Sequence, residues 1–210
     1  MPYKIISGRY ESGTEEQKAG YRMLFGEENI QYNFDLYFHF YNIAHEFGHC
    51  LLDQNKIEMD KVKEEMYVNR LAVAFWRFAG RDDRIEELRA LLDAVLGKIP
   101  SRVPPEHSFE SFFRSIWGTE TLNNVMLYGY FQLKSVLLAI DGADALEEVL
   151  HEQGFHPDFS RKILPFDEKV HADSSAKVLE YVIRSFESIG ITPPEVTLEL
   201  VDNPMIQCAQ

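Results

Sequence analysis

Cysteine is almost absent. Cys50 and Cys208 stand far apart, which excludes a disulfide framework as the source of stability. Cys50 falls inside an apolar pattern, where a buried, reduced thiol is expected. No apolar run approaches the roughly 18 residues needed to cross a bilayer. The start, Met1-Pro2-Tyr3-Lys4, lacks the charged-then-apolar signature of an export signal. A soluble, cytoplasmic protein is expected. Positive charge is scarce too: 21 lysines and arginines face 34 acidic residues, a net charge of −13. Such a surface repels phosphate backbones and anionic lipid, so direct nucleic-acid binding and membrane association are both disfavoured. Internal repeats and low-complexity tracts are missing. What is present is a hydrophobic share of 45%, enough to bury a core, in a length that suits one domain or one domain with a helical extension.

The apolar spacing reads mostly as helix. A short strand is expected at 3–9 and a second at 28–32. Asn33 is placed to cap a helix running to about Asp53, with the packed stripe Leu36, Phe40, Ile43, Phe47 and Leu51 at steps of three and four. After a connector at Gln54-Asn55-Lys56, helices are expected at 58–79, where Gly80 ends the pattern, and at 83–97. Pro100, Pro104 and Pro105 mark a boundary. Further helices are expected at 108–117, 120–140, 143–152 and 174–188, with Ser108, Thr119 and Asp173 as N-caps. Residues 154–170 read as irregular, and the alternation over 195–201 as a last strand.

The chemistry concentrates in His45-Glu46-Phe47-Gly48-His49. Residues four apart stack on one helix face, so both imidazoles can reach one metal ion. Glu46 lies about 100° round the helix from His45. It can therefore stand beside the metal without binding it and take a proton from an activated water, the logic of a His-Glu-x-x-His zinc peptidase. Gly48 sits inside the helix at a cost of about 1 kcal/mol relative to alanine, which calls for a compensating close approach. A third protein ligand is required. Leu52 and Asn55 exclude the spacing that supplies a third histidine. If the next helix folds back near residue 55, position 49 faces about 61 and position 45 about 65, which brings Glu64 and Glu65 into range. Glu65 is preferred because Asn69, one turn on, can orient a ligand, while Ala72 permits close helix approach. Glu64 stays open as the alternative and Asp53 as a weaker rival. The competing reading of all these acids is a solvated helix face.

The segment 45–52 resembles the active-site helix of the ImmA/IrrE-type zinc metallopeptidases, and Glu65-Met66-Tyr67-Val68-Asn69-Arg70-Leu71-Ala72 resembles that family's second helix, where Glu-x-x-Ala-Asn-x-Phe-Ala is common. Val68 and Leu71 depart from that pattern. The resemblance covers residues 36–79. It implies zinc held by His45, His49 and Glu65, with Glu46 as the catalytic base. It also implies a gluzincin fold with a small sheet packed on helices. Family members are associated with cleaving helix-turn-helix repressors, but nothing after Ala79 follows the family, so that substrate does not carry over.

The expected architecture is therefore α+β and mainly helical. A zincin-like core occupies 1–105, and a helical C-terminal part at 106–210 packs on it. Peptide hydrolysis builds negative charge on the carbonyl oxygen, and a side-chain donor commonly helps to hold it. His107, Tyr128 and Tyr130 are the downstream candidates. Tyr128 is chosen by analogy with gluzincin aminopeptidases, which carry a tyrosine a few dozen residues after their glutamate ligand, and Gly129 in mid-helix draws attention to the same stretch. For both tyrosines, ordinary core packing is the competing reading. The expected function is a zinc-dependent peptidase acting on a protein or peptide substrate. The alternative is a non-catalytic zincin-like module that binds a partner. An aminopeptidase would need a second acidic motif to hold a free amine, and none is in evidence.

Overall fold

The computed structural model describes residues 2–160, 163 and 165–202. It is α+β and mainly helical. Cys208 lies outside the described residues. Strand β1 (Tyr3–Gly8) pairs in parallel with β2 (Val196–Val201), in a register that sets Tyr3 opposite Val196 and Gly8 opposite Val201. Between them run α1 (Glu15–Phe25), α2 (Ile30–Asp35), a π-helical segment (Leu36–Tyr41), α3 (Asn42–Gln54), α4 (Lys61–Phe78), α5 (Asp82–Leu96), α6 (Phe109–Ile116), α7 (Val125–Gly142), α8 (Leu146–Glu152) and α9 (Ser175–Ser188), with 3-10 turns at Glu120–Asn123 and Ala172–Ser174. No helix among the described residues is long and apolar enough to cross a membrane.

The helices at the centre follow the expected pattern. Leu36, Phe40, Ile43, Phe47 and Leu51 are all buried, and α4 packs antiparallel against α3. Asp60 caps α4 by accepting from the Lys63 N–H, and Gly80 follows the helix at φ 70°, a conformation that costs a glycine little. The main core draws on both sides of residue 105: Trp76 and Phe75 from α4, Leu88 and Leu92 from α5, Ile140 from α7, and Val182 and Phe186 from α9. A smaller cluster joins Val62 of α4 to Phe113 of α6 and Tyr130 and Phe131 of α7. The expected cap at Ser108 accepts from the Ser111 N–H.

Four expectations need correction. Residues 28–32 are not a strand. The helix begins at Ile30, behind Asn29 in a left-handed conformation at φ 56°. Burial of Ile30 and Tyr32 against the core outweighs their β preference. Asn33 is consequently inside the helix, where its side-chain amide donates to the carbonyls of Phe25 and Glu28 and fastens the end of α1. Thr119 makes no side-chain cap bond, and Asp173 lies within a 3-10 turn that His171 caps instead. Beyond these, α1 has no counterpart among the expected elements, although Thr14 and Gln17 form a complete capping box.

The segment Leu36–Tyr41 has a bearing on the site. The Asn42 N–H bonds the Tyr37 carbonyl, five residues back. That slips the register by one residue relative to an α-helix. Leu36, Tyr37, His39, Phe40 and Tyr41 are thereby buried together. The Phe40 ring stacks on Trp76 with centroids 3.9 Å apart, which ties this segment to α4.

Candidate metal centre

Gly48 explains how α3 and α4 come near enough to share a site. A Cβ there would lie 3.2 Å from both Cβ and Cγ1 of Val68 and 3.4 Å from Leu71 Cδ2. Val68 is fully buried and branched at Cβ, so it cannot swing aside. Gly48→Ala is expected to cost up to about 2 kcal/mol net. Overpacking of about 1–3 kcal/mol outweighs the roughly 1 kcal/mol gained in helix propensity. The measurement is the urea midpoint; a midpoint at or above that of the wild type would remove the close approach as the reason for this glycine.

Across that interface the structure brings His45, His49 and Glu65 together, with one ligand atom from each within 4.8 Å of the others. The two Nε2 atoms are 3.3 Å apart. Glu65 Oε2 is 3.5 Å from His45 Nε2, and Oε1 is 3.7 Å from His49 Nε2. Four tetrahedral bonds of about 2.0–2.2 Å to one zinc ion separate neighbouring donor atoms by about 3.3–3.6 Å. The observed spacings lie at or just beyond that range.

The hydrogen bonds behind the ring nitrogens bear on where their protons sit. Asn69 Oδ1 lies 2.9 Å from His45 Nδ1, and Glu64 Oε1 lies 2.8 Å from His49 Nδ1. The amide of Asn69 is oriented by its own Nδ2, which donates to the Glu65 carbonyl at 2.8 Å, so Oδ1 is the atom facing His45. The Tyr41 hydroxyl donates to that same oxygen at 2.6 Å. Both acceptors take a proton on Nδ1, so in a neutral ring the Nε2 lone pair points into the shared space. Two such lone pairs 3.3 Å apart repel; a metal cation between them, or a proton on one nitrogen that is donated to the other, relieves that repulsion.

The electrostatics push the two histidines in opposite directions. Burial, and then the neighbouring His49, hold His45 below the usual histidine value. At His49 burial opposes the charged form, but the bond to Glu64 and the carboxylates of Glu65 and Glu46 outweigh it and raise the pKa. Glu64 is pulled down to about 2, chiefly by its bond to His49 and also by Lys61, against a contrary push from burial. Glu65 is buried, and among the described residues its ion-pair partners are the two imidazoles. A buried carboxylate without full compensation is costly, and a divalent cation would supply that compensation.

The remaining sequence candidates fall as follows. Glu46 is half-buried, and Asn42 Nδ2 donates to its Oε1 at 3.2 Å; it is outside the donor trio. Glu64 supports His49 from behind. Asp53 is exposed and accepts from the Tyr3 hydroxyl at 2.7 Å, so it is occupied elsewhere. Tyr128 stands on α7, and its oxygen accepts from Gln132 Nε2 at 2.9 Å. Tyr130 is buried in the smaller cluster, and His107 is exposed beside Phe112. Cys50 is half-buried and unpaired, and burial pushes its thiol up to about 12.

Three residues near the centre were not anticipated. Gln132 Nε2 also donates to Glu65 Oε2 at 3.3 Å, so one amide links Tyr128 to the trio. Tyr41, four before His45, was open to discovery by the same i, i+4 rule that paired the histidines. Tyr37 is buried, and its pKa is raised by burial and by the nearby Glu65, Tyr128 and Glu46. The register slip in the π segment hid it. No protein family, curated protein or solved structure matches the chain.

Proposed function

We propose that this protein is a zinc-dependent peptidase with a zincin-like core, in which His45, His49 and Glu65 hold the metal and Glu46 is the general base. The observation that carries the reading is the convergence of three donor groups, two Nε2 atoms 3.3 Å apart and a buried carboxylate at 3.5 and 3.7 Å from them. Imidazole and carboxylate donors in this number suit zinc. When bound, zinc acidifies a water molecule and polarises a carbonyl.

The chain's own residues supply the rest. Asn69 and Glu64 hold the two imidazoles in the tautomer that turns Nε2 inward. Asn42 orients Glu46, whose carboxylate takes the proton of the attacking water and delivers it to the leaving amine. Tyr128, whose hydroxyl oxygen is positioned by the Gln132 amide, is the donor to the developing oxyanion of the peptide carbonyl in this reading. The net charge of −13 favours a basic peptide or protein as substrate.

The test is metal content in the wild type beside Glu65→Gln and Glu64→Gln. The wild type is expected to carry about one zinc, and Glu65→Gln to lose it. Glu64→Gln should keep zinc with an affinity lower by about 10–100-fold, the usual effect of removing an orienting partner. Chelation should also lower the melting temperature. Saturation at a thousand times Kd stabilises by about 4 kcal/mol. A wild type that takes up no zinc on reconstitution, with a melting temperature indifferent to chelator, would remove the proposal.

A further inference from the structure

Gly129 and Gly48 are both helical glycines, but only Gly48 has a packing reason. A Cβ at Gly129 would meet nothing within 4 Å. Its φ is not positive either, so no backbone strain calls for it. Glycine is the least favourable residue in a helix interior after proline, so folding alone would prefer alanine here. Gly20 inside α1 is equally unhindered, so what distinguishes Gly129 is its place. Val125, Gly129 and Gln132 follow at steps of four and three and share one face of α7. At one end of that face Gln132 reaches Glu65 Oε2 at 3.3 Å. At the other end Val125 is 55% exposed. Tyr128 flanks the face and is bound to Gln132 at 2.9 Å. The open space at Gly129 therefore lies on the helix face between exposed Val125 and Gln132, the residue that reaches the donor trio.

We propose that Gly129 is a specificity-determining position, an inference that rests on the peptidase reading above. Its missing side chain makes room for the substrate residue adjoining the scissile bond, which packs against the bare helix backbone between Val125 and Gln132. Large substrate side chains are accepted there because nothing projects from α7. The position acts by shape alone and leaves the metal and its donors untouched.

The experiment compares zinc-loaded wild type, Gly129→Ala and Gly129→Leu by direct titration with two kinds of metal-directed probe. One is acetohydroxamate, which needs only the metal. The other is a set of amino-acid hydroxamates with side chains from glycine to tryptophan. All three proteins should bind acetohydroxamate alike. The wild type should bind the large members more tightly than the small ones. Gly129→Ala should weaken the large members about tenfold and Gly129→Leu a hundredfold or more, while the melting temperature rises by about 2–4 °C on gaining a helix-forming residue. Unchanged affinity for the large members in both variants would overturn the proposal alone. A loss of acetohydroxamate binding in the variants would also overturn it, by making the position part of the metal site's support. Failure of the wild type itself to bind acetohydroxamate would bring down the metal reading, and this inference with it.

Discussion

Glu46→Gln is expected to lower kcat by about 10²–10⁴-fold, the usual contribution of a positioned general base, while zinc content and melting temperature stay at wild-type levels. The substitution is close to isosteric. Its carbonyl oxygen can still accept from Asn42 Nδ2, so local structure should hold. What disappears is the ability to take up a proton. The variant therefore separates roles that sequence alone cannot. Loss of zinc together with activity would make Glu46 a ligand, and an unchanged kcat would remove it from the chemistry. Full zinc in a wild type that cleaves nothing would favour the non-catalytic module instead. The assay needs a mixed peptide pool, since the site's chemistry defines a peptide bond and not a sequence.

Asn69→Leu is expected to destabilise the fold by about 2–6 kcal/mol, because two buried donors, the Tyr41 hydroxyl and His45 Nδ1–H, each lose their acceptor at about 1–3 kcal/mol. Asn69 is fully buried, so water cannot replace it. The Glu65 carbonyl also loses a donor, but it retains its place in the α4 backbone ladder. Against a total stability of about 5–15 kcal/mol, this is the largest single-residue effect anticipated on the fold. Zinc affinity should fall as well, since His45 loses the bond that fixes its tautomer. Urea unfolding of chelator-treated protein isolates the first effect from the second. A metal-free variant as stable as the metal-free wild type would mean that Asn69 does not hold the α3–α4 pair together.

The legible part of this molecule was the part governed by local periodicity. The stripe from Leu36 to Leu51, the fold-back of α4 and the convergence of positions 45, 49 and 65 all follow from steps of three and four. Gly48 was open to interpretation because a costly residue needs a reason, and Val68 supplies it. Gly129 invited the same argument and the structure answers differently, with empty space. The illegible part was whatever local periodicity does not encode. A π-helical turn has the same residue preferences as the helix around it, so nothing in Leu36–Tyr41 announces the slipped register that buries Tyr37. Gln132 went unnoticed because a glutamine four residues after a tyrosine carries no chemical signature, and its other partner, Glu65, is distant in sequence. The strand expected at 28–32 failed because burial of Ile30 and Tyr32 overrode their intrinsic preference. The partnership of β1 with β2 was likewise hidden, since alternation identifies a strand and not its neighbour.

A ribosome releases Tyr3 long before Val196, and at about 5–20 residues per second β1 waits on the order of ten seconds or more for its partner. Residues 45–69 emerge early and need only a short loop, so the α3–α4 pair and its donor trio can close while the sheet is still half made. In that interval β1 is an unpaired strand with Ile6 exposed. Two features restrain it from pairing with a neighbouring copy. Tyr3 and Ser7 have side-chain partners on the helical run that follows β1 in the chain, in Asp53 and His39. Lys4 places a charge on the strand, a common guard against edge-to-edge association, until Glu199 arrives to meet it at 2.8 Å.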